Sequence, residues 1–189
     1  MSLEHYELRK LQESEVKSFS PEARAALESK GYKIYSLRGL TIRNLIDAGK
    51  PFWFVSPSLG NLISALNSEV AINPKKLFLQ DSFARVPDQQ VKMVEKFSRQ
   101  LEQMVPGVRA VVADEPSVWG EIYYLHFDAL GGEVLFGPPK FLYTITRTQA
   151  ECGFAVFGCA RTGRGPSADG WVPERHLPSV GVAPLIVPA

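Results

Sequence analysis

Apolar positions along the 189-residue chain fall into two regimes. Up to Gly107 they recur at helical spacing or in short runs separated by caps and breakers; beyond it they alternate or run continuously, with glycine and proline between them. Ser20-Pro21-Glu22 supplies an N-cap, a proline at the first helical position and an early acid, and Gly31 closes the segment, which predicts a helix over 21–30. Tyr32 to Leu37 alternates and is rich in β-formers, so it reads as a strand. Thr41 caps a second short helix that carries Ile42, Leu45 and Ile46 and stops at Gly49. Phe52 to Val55 is continuously apolar and reads as an interior strand. A polar loop, Ser56-Pro57-Ser58, leads from it into a helical stripe of Leu59, Leu62, Ile63 and Leu66. Val70 to Ile72 and Leu77 to Leu79 read as short strands. Pro87-Asp88 opens the clearest amphipathic helix, with Val91, Val94, Phe97, Leu101 and Met104 on one side and Pro106-Gly107 as its stop.

In the second half, Val108 to Ala113, Phe141 to Arg147 and Phe154 to Ala160 read as strands. The segment from Glu121 to Phe136 fits two periods. Val118, Ile122, Leu125 and Ala129 suit a helix, but the aromatic and β-branched content and the turn chemistry of Asp128-Ala129-Leu130-Gly131-Gly132 favour a hairpin. Arg161 to Gly170 reads as a glycine- and serine-containing loop. The tail through Pro173, Pro178, Pro184 and Pro188 should be extended and irregular, and its apolar residues imply packing across a sheet. Residues 1–19 are charged and helix-compatible, with too few apolar positions for a firm stripe, and form a candidate N-terminal arm. The remainder, 20–189, reads as one α+β domain: a helix-rich N-terminal half with short strands, packed on a mainly antiparallel sheet from about Val108 to Ala160. The alternative is a three-layer α/β fold in which 52–55, 70–72 and 108–113 are parallel strands linked by helices 59–67 and 88–105.

Charge narrows the function classes. Lys and Arg total 21 against 20 for Asp and Glu, so no net field draws a polyanion or an anionic membrane, and a nucleic-acid partner is disfavoured. No apolar run reaches the roughly 18 residues of a membrane span, and the N-terminus is charged, which points to a cytoplasmic protein. Cys152 and Cys159 are seven apart in a strand-like run, which sends the two thiols to opposite faces; with no CxxC pattern, both read as small buried hydrophobes.

Three places could carry chemistry. The stretch from Asp114 to Phe136 is where acids, an internal histidine and aromatics crowd together. If 121–128 is a strand, His126 and Asp128 stand side by side, the carboxylate orienting the imidazole as a general base or metal ligand requires. Glu121 or Glu115 would then be a further acid, although no HxxxH or HxH spacing supports a metal. The loop around Ser56, Ser58, Gly60 and Asn61, between a strand and a helix, is a candidate anion cradle, against an ordinary cap with Ser58 as N-cap. Arg161 and Arg164 on a glycine loop, with Arg147, could grip a phosphate or carboxylate. No motif specifies a cofactor, a nucleotide or an acyl-transfer nucleophile. The leading expectation is therefore a domain that binds a protein partner or a small anionic ligand without catalysis, in a homo-oligomer or alone. The competing one is a hydrolase-like enzyme built on His126, Asp128 and Glu121 or Glu115.

Overall fold

The computed structural model describes residues 17–137, 141–161, 163–173 and 177–189. Its elements in chain order are α1 (Pro21–Ser29), β1 (Lys33–Ser36), α2 (Ile42–Asp47), β2 (Phe54–Val55), β3 (Glu69–Ile72), α3 (Pro87–Met104), β4 (Val108–Val111), α4 (Pro116–Ala129), β5 (Tyr143–Ala150), β6 (Gly153–Arg161), β7 (Gly165–Trp171), β8 (Val180–Gly181) and β9 (Leu185–Pro188). The class is α+β, with two mostly antiparallel sheets: a four-stranded one ordered β1-β3-β9-β4 and a five-stranded one ordered β2-β7-β6-β5-β8. Among the described residues no helix is long and apolar enough to cross a membrane.

Local chemistry sets the first helices as the pattern predicts. Ser20 Oγ accepts from the Ala23 amide, with Pro21 next in line, and the helix closes through Gly31 N to Glu28 O and Tyr32 N to Leu27 O. Thr41 and Asn44 form a reciprocal capping box at the start of α2.

The first sheet is apolar on both faces. Val70 and Ile72 of β3, with Leu185 and Val187 of β9, face α2 and α4, whereas Ala71 and Ile186 face the opposite side, packed with Leu27 of α1 and Val94 and Leu101 of α3. That double burial explains continuous apolar runs in place of alternation. Strand β9 pairs antiparallel with both β3 and β4, so β3 and β4 are parallel to each other and joined by α3, a split βαβ unit with the tail strand inserted between its two strands. The second sheet lies on the far side of α4, where Phe157, Ala155 and Ala168 meet Trp119 and Ile122.

Several expectations are corrected. The hairpin read over Glu121 to Phe136 is instead the body of α4 as far as Ala129, followed by turns and irregular chain to Phe136. Every residue from Pro116 to Tyr124, and His126, is buried, so the helix has no polar face for periodicity to reveal, and packing between sheets overrides strand propensity. The helix read over 59–67 reduces to a single 3₁₀ turn, Pro57–Leu59. Beyond it the Asp114 carboxylate takes the Ser64 hydroxyl at 2.6 Å and the Ala65 amide at 2.7 Å, holding the chain irregular. Leu77 to Leu79 forms no strand; Phe78 turns into an aromatic contact with Phe83, ring centroids 4.9 Å apart. Phe52 to Val55 yields a two-residue edge strand, parallel to β7, not an interior one.

The antiparallel meander comprises β5, β6 and β7, so Val108–Val111 belongs to the other sheet, and most of the loop read over Arg161 to Gly170 is strand β7. The tail does not lie across a sheet but enters both, β8 beside β5 and β9 between β3 and β4. The three-layer alternative fails because β2 lies in a different sheet from β3 and β4. Cys159 is buried and Cys152 exposed, both with free thiols. Of the N-terminal arm, residues 1–16 lie outside the described residues; Lys17 bridges to Ser68 in extended form, and Phe19 is buried with its amide on the Glu69 carboxylate.

Candidate binding groove

Among the described residues, strand β1 ends the first sheet, pairing on one side only. The Leu37 amide reaches Ser68 O across the ladder, so by antiparallel parity Lys33 and Tyr35 point their backbone groups at β3 while those of Ile34 and Ser36 point outward. The next outward amide, that of Arg38, donates to Glu121 Oε1 at 2.5 Å, and Leu40 N donates to Glu121 Oε2 at 3.2 Å. Helix α4 therefore lies beside the edge, and its carboxylate stands where a neighbouring strand's carbonyl would be. Burial pushes the Glu121 carboxyl above the usual range, while the backbone amides of Arg38 and Leu40 and the Arg38 guanidinium draw it back down.

One and two turns further along α4, Leu125 and Ala129 continue the stripe that Glu121 begins. Strand and helix part along this stripe, and a cleft of about 560 Å³ opens between Leu125 and Ala129 on one wall and residues Ile34 to Arg38 on the other. That volume falls within the roughly 300–1,000 Å³ of ligand sites.

A tether behind the groove holds its two walls. The Tyr35 hydroxyl and His126 Nδ1 are 2.6 Å apart, and His126 is fully buried. Burial, reinforced by the charge of Glu133, pushes the Tyr35 hydroxyl up to about 12, so it stays protonated and donates to Nδ1. The ring proton then sits on Nε2, which faces Glu133 Oε1 at 3.8 Å and has no partner within 3.5 Å among the described residues. Burial also holds the imidazole below its ordinary value, with Glu133 opposing and Lys33 adding to the depression.

A pH dependence follows. Below about pH 6.5 the unfolded chain takes up a proton on this histidine that the folded chain resists, so the contribution of His126 to stability falls as pH falls through 6.5 toward the folded value, by at most about 1.4 kcal/mol per pH unit. Glu115 and Glu121, both raised chiefly by burial, act in the opposite sense as pH falls toward the ordinary carboxylate range. The histidine term is isolated by comparing melting temperatures of wild type and His126→Gln between pH 7 and 5: wild type should lose stability faster, and parallel curves would refute the assignment.

The residues singled out in the sequence do not converge. On a helix, His126 and Asp128 diverge by about 200°; His126 is buried, and Asp128 is at the surface, bound by Lys50 Nζ at 2.9 and 2.7 Å. Glu121 is five residues and about 7.5 Å of rise from His126, on another side of the helix. Glu115 lies before the first turn, its carboxylate held by the Thr148 hydroxyl. Among the described residues no three His, Cys, Asp or Glu side chains are placed to hold a metal ion.

Ser56 and Ser58 flank or enter the 3₁₀ turn without capping it, Ser58 and Asn61 are exposed, and Gly60 O accepts from Arg43 N at 2.8 Å. Three residues of 3₁₀ helix provide no aligned set of free amides for an anion. The Arg161 guanidinium stacks 4.3 Å over the Trp53 ring, Arg164 follows in the β6–β7 turn, and Arg147 stands near the far end of the β5–β6 ladder, roughly 20 Å away.

The residues that do assemble, Ile34, Ser36, Arg38, Leu125 and Ala129, carry no chemical signature in sequence. Their only local signal is the spacing of Glu121, Leu125 and Ala129, which has meaning once 116–129 is a helix. No protein-family model, curated protein or solved structure matches the chain.

Proposed function

We propose that this chain is a non-catalytic partner-binding domain that takes an extended segment of another protein along the free edge of β1. The observation that supports it best is the pairing of outward backbone groups at Ile34 and Ser36 with an apolar wall at Leu125 and Ala129. Strand addition uses this combination: main-chain hydrogen bonds supply affinity, and a flanking helix reads alternate side chains. Strand β1, Lys33–Ser36, spans about 10 Å, room for three or four paired residues before Glu121 takes the next outward amide. One turn of helix separates Leu125 from Ala129 by about 6 Å, close to the ~6.8 Å between residues i and i+2 of an added strand.

The hydrolase-like reading has less support. Its acids are dispersed, its histidine is fully buried with Nδ1 engaged by Tyr35, and Asp128 is bound to Lys50. A small anion finds no built cradle at the serine turn.

Ser36→Pro tests the proposal. The substitution removes an outward donor that the ladder to β3 does not use, a position where edge strands accept proline. Against a displayed library of random peptides, wild type should enrich binders. Ser36→Pro, with a circular-dichroism spectrum and melting temperature close to wild type, should bind them at least about ten-fold more weakly, as expected from losing a backbone hydrogen bond and the fit around it. Binders that hold both proteins equally, or no enrichment at all, would overturn it.

A further inference from the structure

We infer that the segment added to β1 carries an acidic side chain within diagonal reach of Arg38, next to an apolar-x-apolar run that packs on Leu125 and Ala129; this rests on the strand-addition reading above. Charges around the groove decide it. Asp128 is neutralised by Lys50 through two contacts, and Glu121 is engaged by the amides of Arg38 and Leu40. Glu133 and Lys33 act with opposite signs on the same imidazole. Arg38 lines the groove, is exposed, and among the described residues has no carboxylate within 4.0 Å of its guanidinium. Its guanidinium acts on the buried Glu121 carboxylate but among the described residues meets no carboxylate at contact distance, so it is the exposed cation that an incoming chain encounters.

Geometry fixes where the acid belongs. Arg38 shares a side-chain face with Ile34 and Ser36, the face turned away from α4, whereas Tyr35 and Leu37 face the helix core. An added strand alternates in the same way, so residues meeting Leu125 and Ala129 are two apart, and the residue that meets Arg38 is adjacent to one of them. The wanted pattern is apolar, any, apolar, acid, with the acid at the end of the groove that Glu121 closes. An arginine also offers paired donors to a carboxylate, which a lysine would not orient as well.

Two capped five-residue probes test this, one with Val-Thr-Val between two aspartates and one with the same core between two lysines. Placing the charge at both ends makes the result independent of strand direction. By fluorescence anisotropy at low salt, wild type should bind the aspartate probe about three- to five-fold more tightly, the range of an exposed ion pair. The preference should vanish in Arg38→Gln, invert in Arg38→Glu, and collapse in 1 M NaCl, where the screening length is about 3 Å. Ser36→Pro should lose both probes. Equal binding of the two probes to wild type, with Ser36→Pro still losing both, would overturn the acid preference and leave strand addition standing. Binding insensitive to Ser36→Pro, or no binding of either probe alongside a blank library selection, would overturn both.

Discussion

Removal of Leu185–Ala189 should abolish cooperative unfolding, while removal of Ala189 alone should cost less than about 1 kcal/mol. Strand β9 is the hinge of the first sheet's hydrogen bonding, pairing with β3 on one side and with β4 on the other. Leu185, Ile186 and Val187 are essentially inaccessible to solvent and alternate between the two apolar clusters, so their loss opens both faces of the sheet at once. Burial of three such side chains is worth about 5–9 kcal/mol, comparable to the roughly 5–15 kcal/mol of a whole domain's stability. The β3–α3–β4 unit would be left with an unfilled gap at its centre, exposing two strand edges to aggregation. Ala189, by contrast, contributes one amide hydrogen bond, to Gly107 O at 3.0 Å, and is exposed. Thermal melts followed by circular dichroism check the pair. A sigmoidal transition surviving in the longer deletion would mean that β9 is an accessory to this core and not its centre.

How β9 reads in sequence shows what was legible. Its apolar character predicts burial, and Pro184 and Pro188 predict an extended segment, but nothing local states that it enters a sheet between two strands more than seventy residues upstream. Strand order is a non-local property, and the edge status of β1 is of the same kind: Lys33 to Ser36 alternates as any half-buried strand does. Elements fixed by local chemistry were readable, since Ser20 and Thr41 with Asn44 cap their helices, and Pro87-Asp88 supplies a first-position proline and a first-turn acid. Helix α4 misled because its signal is erased by its environment. Trp119, Ile122, Tyr123 and Tyr124 are buried around its circumference, and that same all-round burial made the aromatics resemble a strand. The misreading moved the candidate site too, because it set His126 beside Asp128, when the helix turns His126 toward Tyr35 and Asp128 toward Lys50.

His126→Ala should destabilise the protein by about 2–4 kcal/mol, and His126→Gln by much less. The alanine variant leaves a cavity where an inaccessible ring stood and strands the Tyr35 hydroxyl without an acceptor, each a recognised source of large losses. For a chain of this size every kcal/mol is roughly 2–4 °C in melting temperature, so the fall should lie between about 5 and 15 °C. Glutamine offers Tyr35 an amide oxygen in a similar volume and does not titrate, which restores the acceptor without the imidazole. A double-mutant cycle isolates the tether: Tyr35→Phe should cost about 1 kcal/mol or more in wild type and little in His126→Ala, because the hydroxyl has already lost its partner. Strictly additive losses would mean that the 2.6 Å contact contributes nothing to holding β1 against α4. The same variants separate the two functional readings. If His126 serves as a tether, His126→Gln retains peptide binding at β1, because neither the outward groups of Ile34 and Ser36 nor the Leu125–Ala129 wall depends on imidazole chemistry. If it serves as a base, glutamine abolishes function as completely as alanine does while the melting temperature stays near wild type.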